Sequence, residues 1–264
     1  MTSELPSISE EQFQLYRNYA NFRDVGDLQK HLIVIQEQLL KEGEINYKCI
    51  ERYKFACTRL YERFFYKKIV SLGKKLLEKG EAPYFLDVGC CTGTDLRKLL
   101  IDGYPRDFLM GMDIQQSYIE CGYKLFKDSP KTCPIQFIVN DLFSVDENHS
   151  LCHTISIVHA GSVFHLFSDY ETIARFLEKA VSLLKPNGVL AGGHVCTEES
   201  VEYYRESKQS YKYYMGINDF RELLQSKGFV DIQLETQPRL DEEDHFTAFW
   251  ISFYAVFQPK SDIS

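Results

Sequence analysis

Apolar residues along this chain change from one periodicity to another, and the changeover predicts the layout of the fold. From about Glu10 to about Lys79 they recur at helical spacing, as in Leu28, Leu32, Ile35 and Leu39, then Phe64, Phe65, Ile69, Leu72 and Leu76. Several helices are expected there. From Pro83 short apolar runs take over: Phe85-Leu86-Asp87-Val88, Phe108 to Asp113, Ile135 to Val139, Thr154 to Val158 and Gly188 to Gly192. Such runs suit strands buried on both faces of a parallel sheet. Helical patterns separate them. Ser168-Asp169 before Tyr170-Glu171 reads as a helix start with Asp169 as N-cap, and Lys185-Pro186-Asn187-Gly188 reads as a helix stop. The stretch from Glu198 to Gly228 is expected to return to helix with a tyrosine cluster. The last two runs, Phe229 to Glu235 and Phe246 to Phe257, have no helix between them and should pair antiparallel. The expected class is therefore α/β, with a mostly parallel seven-stranded sheet and an antiparallel C-terminal strand. Residues 1–80 would form an N-terminal helical cap, and residues 81–264 a core with a helical insertion near 198–227.

The first strand runs straight into Gly89-Cys90-Cys91-Thr92-Gly93, and a helix pattern carrying Leu96, Leu99, Leu100 and Ile101 follows at once. In open α/β sheets ligands bind at the carboxyl ends of the strands, where small residues let backbone approach them. The spacing narrows the choice of ligand. Gly89 and Gly93 stand four apart with Cys91 in the middle position, which is not the dinucleotide fingerprint, and no Gly-Lys-Ser/Thr follows. A carboxylate at Asp87 would repel a pyrophosphate but suits a cationic amino group. Asp113 ends the next strand, placed to take two ribose hydroxyls, and Asp141 follows the third, where it could accept from an adenine amino group. The ordered set of three acids describes S-adenosylmethionine. For Asp141, and for the Asn140-Asp141 pair as a whole, a helix start is the competing reading.

Composition limits the partners. The 264 residues carry a net charge of −8, which argues against a nucleic-acid surface. Lys67-Lys68 and Lys74-Lys75 fall on a helix with apolar residues between them and read as its solvated face. The start, Met1 to Pro6, lacks the features of a signal peptide, and no segment approaches a membrane span, so a cytoplasmic location is expected. The eight cysteines show no C-x-x-C spacing, and Cys90-Cys91 reads as small residues in place of glycine. His31, His149, His153, His194 and His245 have no metal-ligand spacing, so no metal is expected.

Phe85 to Gly93 with Asp102-Gly103-Tyr104-Pro105, Gly122 to Asp128, and His159-Ala160-Gly161-Ser162-Val163-Phe164-His165-Leu166-Phe167 together resemble segments of small fungal secondary-metabolite methyltransferases of the meroterpenoid pathways. Tyr47-x-Cys49-Ile50 looks like a further family feature. The resemblance spans roughly Tyr47 to Leu184 and implies a Rossmann-like class I methyltransferase that uses S-adenosylmethionine, with members that esterify a carboxylic acid. A fold of this kind also hosts cyclisations and isomerisations that keep the cofactor intact, and a non-catalytic cofactor-binding regulator is a further alternative.

On this reading Tyr47, Asp87, Gly89, Cys90, Cys91, Gly93, Asp113, Ile114, Asn140, Asp141, Leu142, His159 and Ala160 contact the cofactor. Ser162 and His165 would face the acceptor, together with cap aromatics such as Tyr16 and Tyr19. The acceptor is expected to be an apolar small molecule methylated on a carboxylate or phenol oxygen. His165 would position it or act as general base; a carboxylic acid, ionised at pH 7, needs no base, whereas a phenol with a pKa near ~10 benefits from one. Orienting a carboxylate calls for a cation or hydroxyl donors, for which Arg52, Arg59 and the tyrosines are candidates.

Overall fold

A computed structural model of the chain describes residues 7–43, 47–206, 209–239 and 247–259. Met1 to Pro6, His245 and Phe246, for which the sequence carried expectations, lie outside the described residues. The N-terminal section is helical as expected: α1 (Glu10–Ala20), α2 (Val25–Glu42), the short α3 (Lys48–Glu51) and α4 (Tyr66–Glu78). Their starts are set locally. Ser9 and Gln12 form a reciprocal capping box at α1, and the Asp24 carboxylate accepts from Asp27 N at α2, each satisfying N–H groups that the helix itself leaves unpaired.

The core alternates β1 (Phe85–Val88), α5 (Thr94–Ile101), β2 (Leu109–Asp113), α6 (Gln116–Phe126), β3 (Gln136–Val139), β4 (Ile155–Gly161), α7 (Tyr170–Leu183) and β5 (Leu184–Thr197). Asp169 caps α7 by accepting from Thr172 N, as its sequence position predicts. After β5 come β6 (Val201–Arg205), β7 (Ser210–Tyr214), α8 (Ile217–Ser226), β8 (Phe229–Pro238) and β9 (Ala248–Phe257). Seven strands form one sheet in the order β3-β2-β1-β4-β5-β9-β8, with β1 to β5 parallel and β9 antiparallel to both neighbours. The order reverses direction between β1 and β4, the switch point at which open sheets leave a crevice. All four residues of β1 are buried, which explains its unbroken apolar character.

The sequence expectation fails at one element. Glu198 to Gly228 is not one helical stretch: β6 and β7 form a separate antiparallel hairpin before α8 begins. The tyrosines that suggested helix obey a period of two. On β7, Lys212 and Tyr214 are buried while Tyr211 is exposed, and aromatic residues fit such a pleated, one-sided surface better than a helix. The inward residues Tyr203 and Tyr214 pack with Val195, Ala248 and Trp250, so the hairpin leans over the far ends of β5 and β9.

The N-terminal helices pack chiefly against α5 and α6, through Phe13, Leu28, Leu32, Ile35 and Leu39 with Tyr118, Leu125 and Phe126. No helix among the described residues is long and apolar enough to cross a membrane, and no group of three or more His, Cys, Asp or Glu there could hold a metal.

Candidate functional site

The site lies along the carboxyl ends of β1 to β5, and its first half is the turn after β1. Gly89 N and Cys90 N both donate to Met112 O, at 2.8 and 3.1 Å, which stitches the turn to β2. The chain then reverses through left-handed backbone at Gly89, Cys91 and Gly93. At Gly93 a side chain is excluded twice over, by a φ of +67° and by the Phe137 ring 2.6 Å from where a Cβ would sit. Cys91 tolerates its φ of 50° because its N–H is held by Asp113 Oδ2 at 2.8 Å. The other Asp113 oxygen accepts from Gln115 N at 3.0 Å. Each oxygen thus keeps a further lone pair for a ligand hydroxyl. Burial raises the Asp113 carboxyl above its ordinary range, opposed by these two backbone donors.

Around Asp113 the structure gathers Tyr47, Cys49, Cys91 and Tyr118. Burial and then the Asp113 charge push the Tyr47 hydroxyl upward, and burial, followed by Cys91, Tyr47 and Asp113, does the same to Tyr118. Gly89, Ile114 and Asp141 are exposed along this edge, Ile114 at 56%, an unusual position for an isoleucine unless something apolar covers it. Asn140 N is fixed to Asp113 O at 3.0 Å. Asp141 Oδ1 accepts from Phe143 N at 2.9 Å, so the helix-start reading holds for that oxygen; Leu142 is buried in the core.

Two expectations change at the switch point. Asp87 and His159, register partners on β1 and β4, face each other, with Asp87 Oδ1 2.7 Å from His159 Nδ1 and both side chains nearly inaccessible. His159 is therefore turned onto the sheet toward Asp87, over Phe85, and is not a side chain projecting into the cleft. Asp87 has one oxygen committed to it, so any ligand amino group meets the other. Ala160 is wholly buried and can offer the cleft only its backbone. Nearby, Asp95 on the first turn of α5 accepts from Leu60 N at 2.9 Å; burial and the Asp87 charge push its carboxyl up to about 6.

The second half lies beyond β4, at the ends of β5 and β9. Ser162, in left-handed backbone, donates from its N–H to Gly193 O at 2.6 Å and starts the turn that carries His165. The His165 ring meets the Trp250 indole edge-on, centroids 5.9 Å apart, and Lys212 from the hairpin donates to the His165 carbonyl. Arg59 and Arg63 bring their guanidinium carbons to 4.7 and 5.0 Å from the Trp250 ring. Burial, then the charges of Lys212, His194, Arg59 and Arg239, hold His165 well below its usual value, so its imidazole is neutral at pH 7. Among the described residues His165 Nδ1 and Trp250 Nε1 are buried without a hydrogen-bond partner.

Tyr16 and Tyr19 are not part of this wall. Tyr16 donates to Ala56 O at 2.7 Å and stacks on Phe126, and Tyr19 donates to Asp128 Oδ2 at 2.7 Å; both hydroxyls are committed to the interior. The Asp128 that takes the Tyr19 hydroxyl also holds a residue the sequence reading missed. Arg97 is fully buried, pairs with both Asp128 oxygens at 3.0 Å, and donates to Thr92 O and Gly93 O at 2.8 and 3.3 Å. It braces the turn from beneath. Its place on the inner face of an amphipathic helix, beside Leu96 and Leu100, was the available signal, since a buried arginine needs a reason. Arg63, Lys212 and Trp250 were missed as well, because nothing local marks them.

Residues 86–190 match the family model of a methyltransferase domain. The chain is 34% identical over 170 residues to the O-methyltransferase phiE of a fungal species, an alignment covering 61% of this chain and 55% of that protein. It is 29% identical over 175 residues to the O-methyltransferase atr3 of Stereocaulon alpinum (65% of this chain, 47% of the relative). It is 25% identical over 222 residues to the asnovolin E/chermesin D methyltransferase nvfJ of Aspergillus novofumigatus (82% and 74%). The chain spans about half the length of the first two. The fold is shared with phosphoethanolamine N-methyltransferase 2 of Haemonchus contortus (TM-score 0.52, 13% identity, 76% of this chain and 60% of that one). It is shared also with the 1,6-didemethyltoxoflavin-N1-methyltransferase of Burkholderia thailandensis (TM-score 0.51, 12% identity, 90% and 93%). Residues 86–190 thus match a methyltransferase domain, the fold is Rossmann-like class I, and the likeness to fungal secondary-metabolite methyltransferases is borne out.

Proposed function

We propose that this protein transfers a methyl group from S-adenosylmethionine to a carboxylate oxygen of a small-molecule acid. The cleft suits this cofactor residue by residue. Asp113 offers a lone pair on each oxygen to the ribose hydroxyls, exposed Ile114 offers an apolar face to the adenine, and Asp87 offers its uncommitted oxygen to the amino group. Gly89 lets the backbone approach the methionine portion. When bound, the cofactor supplies an electrophilic methyl on a positively charged sulfur.

The observation that carries the choice of acceptor is the wall around Trp250. Arg59, Arg63 and Lys212 surround a neutral His165 and an indole N–H, and two of these buried polar atoms have no partner. An unmet buried polar group costs about 1–3 kcal/mol, which an acceptor carboxylate would recover. The wall also argues against a phenol. A base must hold a proton near the operating pH, and an imidazole held far below its usual value by burial and then by neighbouring cations is a poor one. A carboxylate arrives already ionised, so the residues need only orient it and exclude water.

The test is incubation with S-adenosylmethionine and a panel of carboxylic acids and matched phenols, followed by mass spectrometry. Base-labile methyl esters formed with stoichiometric S-adenosylhomocysteine support the reading. Methylated phenols would overturn the acceptor assignment, and converted substrate without S-adenosylhomocysteine would replace methyl transfer by a cofactor-retaining reaction.

A further inference from the structure

We propose that Arg59 and Arg63 are the acceptor-selecting residues and that the cofactor turn sets their position through the segment 47–65. This rests on the functional reading above and adds a coupling between its two halves. The segment runs from Tyr47, beside Asp113, to the two arginines on Trp250, so one short stretch of chain touches both ends of the site.

Its attachments in between fall on three of the four positions 92–95. Phe55 O accepts from Thr92 Oγ1 at 2.8 Å and from Thr94 Oγ1 at 2.7 Å, and Leu60 N donates to Asp95 Oδ1 at 2.9 Å. Thr92 lies in the turn itself, and Thr94 and Asp95 open the helix that the turn leads into. Leu60 stands next to Arg59. A shift of the turn therefore carries over toward the arginines, because short side chains of the turn and of its helix grip the backbone of the segment at Phe55 and Leu60.

At the far end, Arg63 Nη1 donates to Ser252 Oγ at 3.0 Å, fixing that guanidinium beside the indole. Burial and the Arg59 charge lower the Arg63 guanidinium to about 10, while Glu62 and Asp95 act the other way. Two cations held together on one ring face a penalty that an anion relieves, and the planar fork of a guanidinium matches a carboxylate. Coupling of this kind is reciprocal: whatever cofactor binding does to the arginines, an acceptor held by them does to the cofactor.

Trp250 is the single tryptophan of the chain and sits against both arginines, so its emission reports on them directly. S-adenosylhomocysteine is titrated into the full chain while Trp250 emission and heat are followed in parallel. Both signals are expected to saturate at the same concentration. In a Thr94→Val/Asp95→Ala variant the ligand should still bind by calorimetry within about tenfold, with the emission change reduced by roughly threefold or more. In Arg59→Gln and in Arg63→Gln, quenching of Trp250 by iodide should fall relative to quenching by neutral acrylamide, because the local positive potential is lost. Binding with a silent Trp250 overturns the coupling and leaves the cofactor reading standing. An emission change of full size in the double variant also overturns it, as does unaltered iodide quenching for the arginines' role. Absence of any heat of binding removes the cofactor reading and this proposal with it.

Discussion

The two halves of the cleft are built on opposite plans. At the ends of β1 and β2 most polar groups are paired, with Ser117 Oγ on the first turn of α6 a buried exception: Asp113 holds Cys91 N and Gln115 N, Asp87 holds His159, and Arg97 holds Thr92 O, Gly93 O and Asp128. At the ends of β5 and β9, His165 Nδ1, Trp250 Nε1 and both nitrogens of His194 are buried without partners among the described residues. A pre-organised half binds a constant ligand with little rearrangement, whereas unmet polar groups and clustered cations wait for a ligand to complete them. The difference suits a cofactor common to a whole fold on one side and an acceptor particular to this chain on the other.

Substitutions should separate the halves. The largest effect is expected from Gly93→Val, which forces a side chain into left-handed backbone and into the Phe137 ring; affinity for S-adenosylhomocysteine should fall roughly a hundredfold by calorimetry. Arg59→Gln should raise the KM for an acid acceptor about tenfold, with the KM for the cofactor changed much less. The comparison breaks if both constants move together. His165→Ala should lower kcat for a carboxylic acid by less than about tenfold, since no proton has to be removed; a loss of a hundredfold would restore a base role.

A further effect concerns pH. His194, packed among Phe164, Phe220 and Phe253, is pushed by burial down to about 3, so the unfolded chain takes up a proton near ~6.5 that the folded chain refuses. Its contribution to stability is present above pH ~6.5 and is lost as the pH falls below it, by about 1.4 kcal/mol per pH unit. Asp95, raised to about 6, works in the opposite sense between pH ~3.8 and that value. Denaturant titrations of His194→Phe and the unaltered protein at pH 7 and pH 5 check this: the variant should lose less stability on acidification.

Most of the first half was legible in the sequence, because its determinants are local. A buried strand, small residues at the reversal, and an acid at each of the next strand tips stand within about sixty positions, and spacing alone relates them. What was misread there concerns partners. Asp87 and His159 meet across the sheet over 72 residues, and Tyr16 and Tyr19 find internal acceptors that no local pattern announces. The second half brings together Arg59, His165, Lys212 and Trp250 from four separate stretches, one of them on a hairpin whose alternating tyrosines resemble a helical cluster. Arg59 and His165 were candidates beforehand, Arg59 only by charge.

The most direct test of the account is calorimetric titration of S-adenosylhomocysteine into the unaltered protein and Asp113→Asn, with melting curves to confirm that the variant folds. The account predicts saturable one-to-one binding to the unaltered protein and a loss of roughly a hundredfold in the folded variant, because two charge-assisted hydrogen bonds to the ribose weaken. No binding to the unaltered protein, or undiminished affinity in Asp113→Asn, would contradict it.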